Sequence, residues 1–556
     1  MKSLRPYQVE ACDAIVRDWQ SHRSTLLVLA TGCGKTFTAS EIIARRQNFG
    51  RVLWLAHREE LITQARDAIV AHTALRVGIE KAEQRAEIMG GLWGEQDDVV
   101  VASVQTLASE KRLGRFEPGM FGTIIVDEAH HATSKTYRDI LNHFPYAQVL
   151  GLTATPDRGD GVAMGEAFDS VAHEYQMRAA IDDGFLAPIV QQRLECADLD
   201  LSTARTTAGD INQGDLDKAM RLDAVLHQVA GPLVREAGER STIVFTVSVD
   251  QAHALADVLR GYTSAGIRAI DGTTPTDLRR KYLAEFAAGE VQYMLNCGVL
   301  TEGFDAPRTA CIAVARPTKS RALYTQMVGR GTRTLPGVID RFDTVQARVA
   351  AIAASAKQNC LVLDFVGNSG RHLLITTKDI LAGKALPPDV AKRVSDLEAK
   401  GMPTHEALAK AEAEAIAREE KAAAAAARKA KAKAETAYRK TVVDPFGCID
   451  EADRHGSPAS SGQIDYLRSF GAQIDESNLP TSRQASKMID KLVDRRRRGL
   501  ATYKQAKLLQ KHDLTTDIPM REASQVIDAL AANGWRVTPQ LRAKYGAQAS
   551  REASAA

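Results

Sequence analysis

Residues 29–36 read Leu-Ala-Thr-Gly-Cys-Gly-Lys-Thr, between an apolar run, Thr25–Ala30, and a helix-like run, Phe37–Arg46. A chain of phosphates needs backbone N–H groups that point inward, and glycine lets the backbone come close. Gly32 and Gly34 supply that approach, and the N-terminus of the following helix adds a positive dipole end. In this reading Thr31, Gly32, Cys33 and Gly34 form the cradle. Lys35 holds the β- and γ-phosphates, and Thr36 ligates Mg²⁺. Position 29 is Leu where the general pattern has Gly. Taken alone, the stretch also fits a Gly-rich turn with no ligand.

The pattern around it extends over the first 370 residues or so. Short apolar runs alternate with longer helix-like segments: Thr25–Ala30, Val52–Ala56, Val99–Ser103, Thr123–Val126 and Val149–Leu152. They resume at Thr242–Val247, Ile267–Ile270, Val291–Leu295, Ala310–Ala315 and Cys360–Phe365. Runs of this kind suit strands buried on both faces of a parallel sheet. Ten strands are too many for one small lobe, and the stretch near 190–220 reads as polar and irregular. Two doubly wound α/β lobes are expected. Ligands in such sheets bind beyond the carboxyl ends of the strands.

One of those ends carries the second half of the chemistry. Thr123-Ile-Ile-Val-Asp127-Glu128-Ala129-His130 is an apolar run that closes on two carboxylates. Asp127 is placed to hold Mg²⁺ through water, and Glu128 to polarise an attacking water. A solvated acidic cap is the bland alternative, and the phosphate loop upstream argues against it.

A phosphate loop followed by Asp-Glu-Ala-His resembles a superfamily 2 helicase or translocase, and further motifs occur in that family's order. Arg5-Pro-Tyr-Gln8 resembles the motif that reads adenine, with Gln8 as the reader. Ala56-His-Arg-Glu-Glu-Leu61 resembles motif Ia, Ser103-Val-Gln-Thr106 motif Ib and Thr153-Ala-Thr155 motif III. Ile243-Val-Phe-Thr246 resembles motif IV, Thr301-Glu-Gly-Phe-Asp305 motif V, and Gln326-Met-Val-Gly-Arg-Gly-Thr-Arg333 motif VI. Within the superfamily the likeness is to RadD-like helicases, allied to restriction-enzyme helicase subunits and the XPB group. It rests also on Leu363-Asp-Phe-Val-Gly-Asn368. The resemblance implies ATP and Mg²⁺ as cofactors, with Arg5, Gln8, Gly303 and Asp305 around the nucleotide. It implies that Arg330 and Arg333 reach the γ-phosphate from the second lobe; three apart on a helix, they would share a face. It gives His130 a coupling role, beside the alternative of a catalytic acid. Arg58, Thr106, Thr246 and Thr301 become backbone contacts to a DNA strand, single-stranded or forked, held without regard to sequence. A RadD-like tail carries a cysteine-rich zinc segment, and this one has none, so zinc is not expected. Bacteriophage helicases show similar tails.

Composition bounds these readings. The chain has 556 residues, 44% hydrophobic and 25% charged, with a net charge of +3 and seven cysteines, none in a CxxC pair. That excludes a disordered chain, a disulfide framework and a Cys-rich metal site. No run approaches the ~20 apolar residues of a membrane helix, no signal-like segment opens the chain, and a cytoplasmic protein is expected. Charge is uneven: residues 456–556 hold sixteen Lys/Arg against ten Asp/Glu, a hint of a polyanionic partner.

The expected division is two RecA-like lobes, 1–180 and 181–372, a helical linker 373–445, a small all-α domain 456–540 and a disordered tail 541–556. In 406–440, sixteen residues are Ala and fifteen are Lys, Arg or Glu. This is strong helix-former composition with almost nothing to bury, a spacer about 50 Å long at 1.5 Å per residue. A nucleic-acid arm built on Arg428, Lys429, Lys431 and Lys433 is the alternative. Beyond it lies a weak repeat. Gln463-x-x-Tyr466-Leu467 matches Gln505-x-x-Leu508-Leu509, and Ala485-Ser486-x-x-Ile489-Asp490-x-Leu492 matches Ala523-Ser524-x-x-Ile527-Asp528-x-Leu530. Each unit reads as two short capped helices, and the all-α domain is open to a protein partner. Arg495–Arg498 reads either as a solvated helix end or as a duplex- or fork-binding patch. Cys33, near a helix N-terminus, reads as a small permissive residue with some sensitivity to alkylation.

The leading reading is an ATP-dependent DNA helicase or translocase in replication, repair or recombination. The alternatives are the motor subunit of a restriction or defence complex, an RNA helicase, and a static nucleotide-binding switch. In the restriction reading, cutting would fall to a partner.

Overall fold

In the computed structural model the described residues are 3–546, apart from 89–95, 133, 156–166, 208, 301–303, 370–373, 384–385, 442–445, 447–455, 473 and 475–478. Residue 131 and residues 431–441 are described by backbone alone. The chain divides into two compact units, Met1–Ala415 and Ile416–Ala556.

The first unit holds two parallel sheets. Sheet one contains β1 Ser24–Leu29, β2 Arg51–Ala56, β3 Val77–Glu80, β4 Val99–Ser103, β5 Phe121–Val126, β6 Gln148–Thr153 and β7 Ser170–Tyr175, in the order β3-β4-β2-β5-β6-β1-β7. Sheet two contains β8 Ile189–Asp200 and then, after the short antiparallel pair β9 Thr206–Thr207 and β10 Asp210–Ile211, the strands β11 Thr242–Thr246, β12 Ile267–Ile270, β13 Tyr293–Asn296, β14 Cys311–Ala315 and β15 Cys360–Asn368. Its order is β12-β13-β11-β14-β15-β8. Each apolar run named above is a strand, and the central ones (β1, β4, β11, β14) are buried along their whole length. These are the two doubly wound RecA-like lobes the pattern calls for.

Five strands escaped the reading: the short pair β9 and β10, and β3, β7 and β8, which are outer strands of their sheets and mix buried residues with partly covered ones. The stretch read as polar and irregular begins with β8, twelve residues long and paired with β15 in parallel. An edge strand needs only one apolar face, so its sequence looks polar.

A buried polar cluster ties sheet two to the segment that follows it. The Tyr324 hydroxyl lies 2.7 Å from Asp364 Oδ2 and 3.2 Å from Thr377 Oγ1, and Gln191 Nε2 also donates to Asp364. Burial pushes the Asp364 carboxyl up to about 6 against the donors that hold it. A carboxyl whose pKa rises on folding favours the folded state fully below its unfolded value near 4, and that contribution is lost as pH rises through about 6. Asp364→Asn should therefore flatten the stability profile between pH 4 and 6, by about 3 kcal/mol at roughly 1.4 kcal/mol per pKa unit. Urea unfolding at several pH values reads this directly.

The Ala-rich stretch is one helix, Thr404–Thr441. It buries more than its composition suggests. Ala407, Leu408 and Ala411 are fully covered by the core of the first unit, and Glu412 and Glu414 pair with Arg178 and Arg393 at 2.8 Å. Alanine contributes too little to a hydropathy pattern for this stripe to stand out. From Arg418 to Ala430 the described side chains are exposed, and Lys431 and Lys433 lie outside them.

The second unit repeats a helix pair: Ser461–Ser469 with Ser482–Arg497, then Tyr503–Lys511 with Met520–Ala532. The repeated residues have one job in both copies. Gln463 and Gln505 close capping boxes with Ser460 and Thr502, and each donates 2.9 Å to a serine of the next helix, Ser486 or Ser524. Ala485 and Ala523 beneath them are fully buried. Residues 541–545, read as the start of a disordered tail, complete a helix Pro539–Tyr545 whose Tyr545 hydroxyl donates to Glu522 at 2.7 Å.

The arginine run is not uniform either. Arg495 is 2% exposed, sits over the Phe446 ring at 4.4 Å, and donates to Asp517 and to the carbonyls of Thr516 and Ala501. It links the first repeat to the second, so only Arg496, Arg497 and Arg498 face outward. Arg495→Ala should cost about 1–3 kcal/mol for the acceptors left unpaired, whereas Arg497→Ala should stay within about 0.5 kcal/mol of the parent. Chemical denaturation of the two variants compares them.

Candidate functional site

β1 ends at Leu29, buried in the core, which accounts for Leu where the general phosphate-loop pattern has Gly. The loop then turns through Gly32 and Gly34 at φ 92° and 79°, a region that favours glycine. Gly34 caps the helix Lys35–Arg45, so the loop amides and the helix N-terminus face one concavity. A methyl group at Gly34 would come 2.7 Å from Gln8 Nε2.

Gln8 and Tyr7 brace this loop. Gln8 Nε2 and the Tyr7 hydroxyl donate to the Cys33 carbonyl at 3.1 and 3.0 Å, and Gln8 Oε1 accepts from the Arg5 amide at 2.9 Å. Tyr7 stacks on Tyr175 with centroids 4.3 Å apart, and Arg5 lies over Phe185. Tyr7 was not singled out by the sequence reading, although it stands inside the quoted Arg5–Gln8 stretch. Cys33 is 1% exposed, and burial pushes its thiol up to about 12. This corrects the expectation of a sensitive thiol: desolvation outweighs the helix end.

Across the cradle, β5 delivers Asp127 and Glu128, both buried. Asp127 Oδ1 accepts the Glu128 amide at 3.0 Å. Glu128 adopts a left-handed backbone, φ 48° and ψ 58°, a conformation that costs a non-glycine residue of order 1–3 kcal/mol. Its Oε1 lies 3.9 Å from Lys35 Nζ and its Oε2 lies 3.4 Å from His130 Nδ1. Burial alone would raise this carboxyl. The charges of Lys35, His130 and Arg330 outweigh it and hold the group at about 2. Thr36, in the first turn of the helix after the loop, and Asp127, just past the end of β5, are hard oxygen donors, a set that fits Mg²⁺.

The second lobe closes the site. Arg330 caps the helix Arg321–Gly329, and Arg333 lies beyond it, bridged to Leu186. The two do not share a helical face, because the helix stops at Gly329. Gly331 cannot carry a side chain, since a methyl there would sit 2.3 Å from Cys360 Sγ. Arg333 nonetheless reaches the loop, and the charge of Arg330 bears on Glu128. The Gly329 Cα faces Thr31, whose Cβ would be 2.5 Å from a methyl added there, and Arg333 Cγ would lie 3.1 Å from one added at Gly32. Arg330 Nη1 donates to the Phe304 carbonyl at 2.6 Å, and Arg333 pairs with Asp305.

The residues expected at a strand are spread along another face. Arg58 Nη1 donates to the Gly298 carbonyl at 2.9 Å, and Glu60 beside it pairs with Arg279 at 2.7 Å, so motif Ia touches the second lobe. Gln105 Nε2 donates to the His57 carbonyl at 3.0 Å, joining motifs Ia and Ib, and Thr106 Oγ1 accepts from the Ala82 amide. Thr246 is 1% exposed, with its hydroxyl donating to the carbonyls of Asn296 and Ser248, and so offers no surface group. Thr301 and Gly303 lie outside the described residues.

A family model described as type III restriction enzyme, res subunit, matches residues 1–158, and the helicase conserved C-terminal domain matches residues 220–334. The chain belongs to helicase superfamily 2. Among relatives of this superfamily 2 chain is the Saccharomyces cerevisiae protein named ATP-dependent helicase IRC3, 32% identical over 66% of this chain and 52% of that one. The type I restriction enzyme EcoAI endonuclease subunit of Escherichia coli is 28% identical over 60% of this chain and 44% of its own. A 51.5 kDa protein of a Lactococcus phage is 28% identical over 54% and 61%. The chain thus spans about half the length of the curated relatives it matches. Among the described residues no helix is long and apolar enough to cross a membrane.

Proposed function

We propose that the chain is an ATP-hydrolysing motor that moves along DNA or unwinds it. The observation that carries this is the convergence of Lys35, Glu128 and His130 from one lobe with Arg330 and Arg333 from the other around a single phosphate loop. In this mechanism Lys35 and the loop amides hold the phosphates, and Gln8 reads the adenine while bracing Cys33. Thr36 and Asp127 would hold Mg²⁺, which supplies charge neutralisation at the phosphates. Glu128, kept ionised by its neighbours, orients and polarises the attacking water. Arg330 and Arg333 meet the charge that develops on the transferred phosphoryl group. ATP would draw the lobes together and hydrolysis would release them, and Arg58 and Thr106 would grip the strand's phosphates as they move. We assign 1–180 and 181–372 to the lobes, 373–445 to the linker and 456–540 to the repeat domain.

Steady-state ATP hydrolysis without nucleic acid and with single-stranded, duplex and forked DNA or RNA tests the reading. Stimulation by DNA supports it, and the DNA that stimulates most identifies the substrate. Stronger stimulation by RNA would move the substrate to RNA, and no stimulation by any of them would remove the motor reading. A second reading, the motor of a restriction or defence complex, is favoured by the family described as a restriction enzyme's res subunit. Co-purification of a nuclease would support that one.

A further inference from the structure

The outer face of the second C-terminal repeat carries lysines, with exposed aromatic rings close by in the fold. In the helix Tyr503–Lys511, Tyr503, Ala506 and Leu509 face inward. Lys504, Lys507 and Lys511 fall at i, i+3 and i+7 on the opposite side, a stripe about 10 Å long at 1.5 Å per residue. The equivalent helix of the first repeat, aligned on Gln463 and Gln505, has Gly462, Asp465 and Ser469 at these places. The stripe is thus particular to the second copy and not a by-product of the repeat.

Each end of the stripe adjoins a segment linked to an exposed ring. At one end the stem of Lys504 lies over Gly471, where an added methyl would come 2.8 Å from Lys504 Cε. The adjoining Phe470 packs edge-on to Tyr466, which is 45% exposed. At the other end Lys511 is followed by His512, whose ring stacks on Trp535 at 5.9 Å and 16°. Trp535 is 47% exposed, follows Gly534 in a left-handed turn of its own at φ 59°, and precedes Arg536. Large rings left half-exposed near lysines are costly to keep in water. They suit a ligand with both phosphates and stackable bases.

We propose that this face binds single-stranded DNA independently of the two lobes, with Lys504 and Lys511 on the phosphates and Trp535 under a base. The excess of sixteen basic over ten acidic residues in 456–556 gives the surrounding field the matching sign. A second grip would keep the chain on its strand while the lobes release it. An acidic polypeptide would match the charge but would have no use for the rings.

The test uses the full chain without nucleotide and the anisotropy of fluorescein-labelled oligo-dT, in the parent and in an Arg58→Ala background that weakens the lobes' grip. Lys504→Ala/Lys511→Ala should weaken binding about tenfold and reduce the slope of log K against log salt by roughly 1.4, about 0.7 for each lost phosphate contact. Trp535→Ala should weaken binding by roughly 5- to 100-fold at every salt concentration, the loss of one stacked base, while Trp535→Phe retains most of it. Neither the Lys504→Ala/Lys511→Ala pair nor the Trp535 substitutions, made in the parent, should change ATP turnover without DNA. Parent-like binding in these variants overturns the proposal. So does competition by polyglutamate equal to that of unlabelled oligo-dT with no effect of Trp535→Ala. If DNA fails to stimulate turnover but the tail variants still lose oligo-dT, the motor reading falls and this one stands.

Discussion

Glu128→Gln should lower DNA-stimulated ATP turnover by about 10²–10⁴-fold, the usual worth of a positioned general base, with ATP still bound. The side chain keeps its size, so the left-handed turn at residue 128 and the hydrogen bond from its amide to Asp127 are preserved. What is lost is the negative charge. That charge is expensive in a buried place, and it persists because Lys35, His130 and Arg330 surround it. With the carboxyl held at about 2, its base form is present throughout the neutral and mildly acidic range, so the acid limb of the parent's pH profile must come from another group. Lys35→Ala makes the contrast. It also abolishes turnover, by removing the phosphate hold, and it removes the first-ranked favourable charge on Glu128. Burial then dominates and the carboxyl pKa rises. In linkage terms, the depressed parent carboxyl adds stability above its unfolded value near 4.5 that is lost as pH falls toward 2. Lys35→Ala should lose that contribution, and Glu128→Gln should be indifferent to it. Single-turnover hydrolysis and ATP-binding titrations separate the two variants. A Glu128→Gln enzyme with near-parent turnover would remove Glu128 from the water-polarising role.

Much of this was legible before any coordinates, and the reason is local. Strands such as β1 and β5 are apolar on both faces and end in residues with unusual chemistry, so run and motif mark each other. β8 was not legible, because an edge strand shows only half of its pattern. Arg330 and Arg333 were found through the resemblance to motif VI, but the helical face they were expected to share was not there. Gly329 and Gly331 lie where the end of the helix presses against Thr31 of the first lobe and Cys360 of its own, contacts between residues far apart in the chain. The same limit hid the Tyr324–Asp364–Thr377 cluster and the burial of Arg495, one of four identical neighbours. Sequence reports what a residue is. Whether an arginine is a surface charge or a bolt between two repeats depends on which distant carbonyls lie within its reach.

Arg330→Ala should cost about 10³–10⁵ in kcat, the range of an arginine that stabilises phosphoryl-transfer charge, with little change in the KM for ATP. The asymmetry between the two arginines argues for Arg330 as the larger loss. Arg330 already acts on Glu128 through its charge, and it is held by a neutral acceptor, the Phe304 carbonyl, at 2.6 Å. Arg333 is paired with the Asp305 carboxylate, which cancels much of its field until that pair opens. Two consequences separate them. Arg330→Lys should not restore turnover, because a lysine cannot hold the Phe304 carbonyl and reach the phosphate with a planar fork. Asp305→Asn should leave Arg333 unneutralised and tighten ATP binding, whereas Arg333→Ala should raise the KM more than Arg330→Ala does. Gly329→Ala should resemble the loss of both, since the added methyl would meet Thr31 and hold the second lobe off the loop. If Arg330→Ala instead raised the KM and left kcat intact, the residue would belong to ground-state binding and the finger role would pass to Arg333.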